Sequence, residues 1–132
     1  MNPFVALLAF AVIGTSAPQT APRAVQVGGM PDLDACLSVG QVVRLNPKGD
    51  NFLSVRAAPS AQAAQIDKLR PKAEMFVCDE AAGGEWLGVV YEPGGTISPR
   101  CDVGSPIPRK QKYRGPCASG WVSAKFIEII AG

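Results

Sequence analysis

The chain has 132 residues, 47% of them hydrophobic, with a net charge of +2 and no histidine. That length holds one small domain, and the missing imidazole excludes Ser-His-Asp and Cys-His catalysis, His-Glu-x-x-His zinc sites and histidine acid–base chemistry. Fourteen glycines and twelve prolines exceed the usual share and predict many turns between short strands, an all-β chain rather than a helix bundle.

Phe4 to Ile13 is an unbroken apolar run followed by the small residues Gly14, Thr15, Ser16 and Ala17. This is the order of a secretory signal peptide, and the run is too short for the roughly 20 residues that span a bilayer. Residues 1–17 are therefore expected to be a signal peptide directing export to the periplasm or beyond. The leader carries no Lys or Arg, and prolines follow both Ala17 and Ala21, which leaves the cleavage point open. Residues 18–34 are rich in Pro, Gly, Gln and Ala without sustained periodicity, the composition of a flexible tether.

Four cysteines, an even number, agree with an oxidising compartment. No Cys-x-x-Cys occurs among Cys36, Cys78, Cys101 and Cys117, so disulfides are expected and a structural zinc is not. Of three connectivities, proximity in sequence favours Cys101 with Cys117. Cys36 with Cys78 follows if the strand carrying Cys78 neighbours the first strand.

That first strand is predicted at Gln41–Leu45, ending at the turn Asn46-Pro47-Lys48-Gly49-Asp50. Leu53 and Val55 alternate with Ser54 and Arg56 in a second strand, which Pro59 prevents from continuing. Between Pro59 and Pro71, the helix formers Ala61 to Gln65 behind a Ser60 cap favour a helix on propensity. Met75–Asp79 and Trp86–Tyr91 read as a hairpin about the turn at Ala81–Gly84. Leu87, Val89 and Tyr91 share one face, so Trp86 points to the other, where it caps the sheet or lines a groove. Ser123–Phe126 is predicted as one tight helical turn before a last strand at Ile127–Ile130.

Leu53-Ser54-Val55-Arg56-Ala57-Ala58-Pro59-Ser60 resembles the Leu-Asn-Val-Arg-x-x-Pro-Ser signature that opens bacterial SH3 domains. Gly120-Trp121-Val122-Ser123-Ala124-Lys125-Phe126-Ile127 resembles that family's closing Gly-Trp-Val-x-x-x-Tyr-Leu, with Phe126 replacing Tyr. Trp86-Leu87-Gly88-Val89 resembles its central Trp-Tyr-x-Val. The resemblance, from about Gln41 to Ile130, implies a small antiparallel SH3-like barrel over residues 35–132. It places a loop and then a strand at Ile66–Leu69, against the helical propensity of that segment. The expected core is Val43, Leu53, Val55, Ile66, Leu69, Val77, Leu87, Val89, Val122 and Ile129.

Residues 93–119 stand where the family has a short turn. This insertion holds Arg100, Arg109, Lys110, Lys112 and Arg114 against Asp102 alone, net +4 in a chain of +2. A Cys101–Cys117 bridge closing about 15 residues is worth roughly 3 kcal/mol in the chain-entropy model, so the loop is either a shaped recognition surface or a restrained, solvated insertion.

Carboxylates such as Asp79, Glu80 and Glu85 read as surface groups, and phosphate-loop and dinucleotide motifs are absent. No enzyme activity, cofactor, metal or nucleic-acid partner is expected. The resemblance implies a noncatalytic, extracytoplasmic module that recognises cell-wall (peptidoglycan) peptides or an envelope protein. The alternative is a periplasmic inhibitor or stress protein acting through the basic loop; the partner, cell-wall peptide or envelope protein, is expected to be anionic. The candidate ligand residues are Trp86, Trp121, Arg109, Lys110, Lys112, Tyr113 and Arg114.

Overall fold

The computed structural model describes residues 20–132 and, before them, Ala9 alone. The expected signal peptide thus falls outside the described residues but for that one position. Nine strands form: β1 (Gln26–Val27), β2 (Ser38–Val42), β3 (Leu53–Arg56), β4 (Gln65–Leu69), β5 (Glu74–Ala81), β6 (Trp86–Tyr91), β7 (Gln111–Lys112), β8 (Ala118–Ser123) and β9 (Ile127–Ala131). Single 3₁₀ turns follow β5, precede residue 102, and join β8 to β9 at Ala124–Phe126. The chain is all-β and antiparallel among the described residues, with a seven-stranded sheet in the order β4-β3-β8-β6-β5-β2-β9 and a small ladder of β1 with β7.

The large sheet is open rather than a closed ring, with β4 and β9 at its two edges. It nevertheless rolls, because Leu69 of β4 and Ile127 of β9 enter the same hydrophobic cluster as Val55, Met75, Val89, Tyr91 and Val122. Burial of that shared apolar face is what drives the edges toward each other.

The segment at 65–69 is strand, not helix, and the reason lies in tertiary pairing. β4 hydrogen-bonds along β3 from Leu53↔Leu69 to Arg56↔Gln65, which outweighs the few tenths of a kcal/mol per residue that separate helix propensities. Ser60 serves a turn instead, its Oγ accepting the Gln62 N–H at 3.2 Å and its carbonyl the Ala63 N–H at 3.1 Å.

Three expected core residues are corrected. Val42 is buried and Val43 is not, because β2 runs three residues earlier than the expected strand and ends just before Arg44, which takes a left-handed φ of 60°. Ile66 is 53% exposed while Leu69 is 2%; residues three apart on a strand point to opposite faces, so both could not be core. Ile129 is 51% exposed because Ile127 fills the core and β9 extends past it along the sheet edge. Leu53, Val55, Leu69, Val89 and Val122 are buried as expected, with Val77 and Leu87 packed half-buried at the margin.

The larger departure is a second core on the opposite face of the same sheet. Val90 and Trp121, which alternate with the inward Val89 and Val122, pack with Val25, Val27, Ala35, Cys36, Cys101 and Val103. The expected tether therefore holds a strap, residues 23–29, that covers the sheet: Val25 and Val27 are each 2% exposed. Gly88 admits it, since a Cβ there would stand 2.8 Å from the Asp79 Cβ and 3.0 Å from Val25. Asp79 also accepts the Gln26 N–H at 3.0 Å, which satisfies a strap donor that pairing leaves over.

Residues 93–119 complete the lid. β7 pairs with β1 through Gln26↔Lys112 and Val27↔Gln111, and Val103, Ile107 and Tyr113 pack on the second core. The bridges Cys36–Cys78 and Cys101–Cys117 both form, with S–S 2.06 and 2.05 Å, in the expected pairing. With no free cysteine remaining, the chain suits an oxidising, extracytoplasmic environment. No helix among the described residues is long and apolar enough to cross a membrane.

Candidate functional site

Trp86 opens β6 immediately after the turn at Ala82–Gly84, where three positive-φ residues reverse the chain. Its side chain is half-buried, and three concavities meet at it. The first, a groove of about 440 Å³, runs from Trp86 between Phe52 and Phe126 and is flanked by Arg44 and Arg56. The second, about 600 Å³, lies between Pro59 and Ala82 and reaches Glu85, Gln62 and Arg23. A smaller third hollow lies against Ser123 and Lys125.

The cations along the groove are held by backbone carbonyls rather than by carboxylates. Arg44 donates from Nε to the Lys125 carbonyl at 2.9 Å and from Nη2 to that of Ile127 at 3.2 Å, and Arg56 donates from Nη1 to Ala63 at 3.1 Å. Each guanidinium has five N–H donors, so both keep donors for another group. Lys68 sits 4.6 Å from the Phe52 ring centroid, a cation–π contact that orders the aromatic wall. Apolar walls with a few fixed donors are the usual make-up of a ligand groove.

The other expected site residues are distributed differently. Trp121 is fully buried, its Nε1 donating to the Arg23 carbonyl at 2.8 Å, with the Arg23 guanidinium 5.1 Å from its ring centroid. It is a core anchor for the strap and offers no ligand surface. Tyr113 is a strut: its hydroxyl donates to the Cys101 carbonyl at 2.8 Å and accepts the Cys117 N–H at 3.1 Å, tying both halves of the disulfide loop. Burial pushes that hydroxyl above its ordinary pKa. Arg109, Lys110, Lys112 and Arg114 are exposed and belong to none of the concavities that meet at Trp86. The expected residues thus fall on two surfaces, an aromatic groove and a basic loop.

Among the described residues one ion pair forms, Arg100 with Glu92, in which Arg100 Nε donates to Glu92 Oε1 at 2.8 Å. Donation from Arg100, and then from the Ser98 hydroxyl, holds the Glu92 carboxyl below its ordinary range. Glu92 also lies close to Cys101 and Cys117, but both sulfurs are consumed by their disulfide, so this cluster offers no thiolate to a metal.

Five groove and strap residues were not among the expected ligand groups: Arg44, Phe52, Arg56, Phe126 and Arg23. Arg56 and Phe52 carried a usable signal, since they flank the core positions Leu53 and Val55 and must face away from them. Arg23 carried almost none, being the first charged residue of a segment with tether composition.

Neither protein-family models, nor curated proteins, nor solved structures give a match to this chain.

Proposed function

We propose that the chain is a noncatalytic binding module of the periplasm or cell exterior, SH3-like in its rolled sheet, that holds a cell-wall peptide or an envelope protein in the groove at Trp86. One observation carries this reading: a half-buried Trp86 at the meeting of three concavities, walled by Phe52 and Phe126 and flanked by guanidiniums already fixed on carbonyls. A half-buried indole has apolar surface left to cover and an N–H to satisfy, so a bound chain gains on both counts. The Arg donors left over suit the carbonyls of an extended peptide. The rolled sheet supports the SH3-like reading, since both edge strands feed one core.

The test is retention on insoluble peptidoglycan. Trp86→Ala is expected to melt within a few degrees of the parent, because the side chain is only half-buried. It should weaken binding by about 30-fold, the loss that follows removal of a central aromatic worth roughly 2 kcal/mol. Equal retention of parent and variant, or no retention of either, refutes the cell-wall form of the proposal.

The alternative, a partner-directed inhibitor working through the loop, is favoured by a separate observation. Arg109, Lys110, Lys112 and Arg114 lie on a loop whose base is clamped by Cys101–Cys117 and by both hydrogen bonds of the Tyr113 hydroxyl. A surface so held is pre-organised for contact.

A further inference from the structure

Arg23 is the first charged residue of the chain, and the fold fixes it from three sides. Its N–H donates to the Ala57 carbonyl at 2.9 Å, its own carbonyl accepts from Trp121 Nε1 at 2.8 Å, and its guanidinium lies 5.1 Å from the centroid of that indole. A guanidinium resting on an aromatic face keeps its N–H donors free at its edge. Among the described residues the Arg23 guanidinium forms no ion pair, the single pair being Arg100–Glu92.

Lys112 reaches the same place by another route. The β1–β7 ladder sets Lys112 opposite Gln26, and the Tyr113 N–H donates to the Val25 carbonyl at 2.9 Å, so the strap and the loop run side by side. Between them and β8 lies an open cleft of about 420 Å³. Arg23 and Lys112 are its charged lining, Ser119 supplies a hydroxyl, and the exposed Ile66 with Ala57 supplies apolar wall. No lining residue is acidic. Two cations without a counter-charge, one of them a planar fork held on an indole, form a receptor for an oxyanion. The apolar wall beside them suits the carbon chain that carries it.

We propose that this cleft is a carboxylate subsite, taking the free carboxyl terminus of a peptide, with Arg23 as a two-pronged donor and Lys112 as a second cation. Arg23 also lines the larger hollow that reaches Trp86, so the subsite and that hollow adjoin at this one side chain. The subsite stands apart from the groove reading, because its lining does not include Trp86.

The experiment is NMR titration of the disulfide-bonded protein, following the Arg23 Nε–H and the backbone amides of Ser119 and Gly120. The probes are an N-acetylated dipeptide acid, its C-terminal amide, and inorganic phosphate. The acid is expected to shift these signals and the amide to leave them unmoved. Arg23→Lys, which keeps the charge but loses the fork, should weaken the acid by about tenfold. Lys112→Gln, a change on an exposed strand, should weaken it with the fold intact. The Trp86→Ala variant should keep the acid-dependent shifts, so that failure of the groove and failure of the subsite read out separately. Acid and amide acting alike, Arg23→Lys binding as well as the parent, or phosphate binding as tightly as the acid would each overturn the carboxylate assignment.

Discussion

Truncating the strap tests the second core directly. Val27 is 2% exposed and packs with Trp121, Val90 and Cys101 on the outer face of the sheet. Val27→Ala removes two methyl groups' worth of buried surface, about 1.6 kcal/mol at roughly 0.8 kcal/mol per carbon. Incomplete collapse of the cavity adds a further part of a kcal/mol, so the expected loss is about 2 kcal/mol. In a domain of this size that lowers Tm by about 8 °C. The assay is thermal and urea unfolding of the oxidised protein, with Ala24→Ser, at an exposed position of the same segment, as the control. That control should change stability by less than about 0.5 kcal/mol, as surface substitutions do. If Val27→Ala melts with the parent, residues 23–29 are a tether after all, and the second core does not contribute to folding.

Three more tests address other parts of the fold. Tyr91 is 1% exposed and donates from its hydroxyl to Asp67 Oδ2 at 2.7 Å; burial, then that hydrogen bond, pushes its pKa well above the ordinary value. Tyr91→Phe should therefore cost about 1.5–3 kcal/mol, the range for a hydrogen bond to a charged group, and an unchanged urea midpoint would show the bond to be unimportant. Replacing Cys101 and Cys117 together by Ser should cost about 3 kcal/mol while leaving Cys36–Cys78 intact by peptide mapping; a peptide joining Cys78 to Cys117 in the parent would refute the pairing. Glu92, with its folded pKa lowered by Arg100 and Ser98, contributes stability that is complete above pH 4.5 and fades as pH falls through the lower folded value. That small increment should vanish in Glu92→Gln, and an identical acid-melting profile for the two proteins would contradict it.

The inner core was legible because its signal is local. Leu53 and Val55, like Val89 and Tyr91, alternate with residues that cannot all be core, and period 2 assigns them one face. The errors at Val43 and Ile129 concern parity and reach. Val42-Val43 offers two equal apolar residues, so composition cannot say which points inward. Ile127, Ile129 and Ile130 offer more apolar residues than a sheet edge can bury. The outer core was not legible, because its parts come from the strap, the middle strands and the loop, and no single window contains its pattern. The alternation Val25-Gln26-Val27 was present, but two residues of strand inside Pro- and Gly-rich sequence carry little weight.

The candidate site follows the same division. Trp86 was assigned correctly to the face opposite Val89, and Trp121, which alternates with the inward Val122, lies on that same face. On an open surface both would be ligand groups. The strap and loop cover one and spare the other: Trp121 lies under Arg23 and is fully buried, whereas Trp86, at the strand end, stays half-exposed. The cover is itself the source of the cations, since Arg23 comes from the strap and Lys112 from the loop. If the cleft is the carboxylate subsite proposed above, burying Trp121 exchanges an aromatic surface for a charged one, seated on the indole it hides. Variants that loosen the strap, such as Val27→Ala, should then weaken carboxylate binding at the cleft while sparing contacts at Phe52 and Phe126, a split that a single undivided site would not produce.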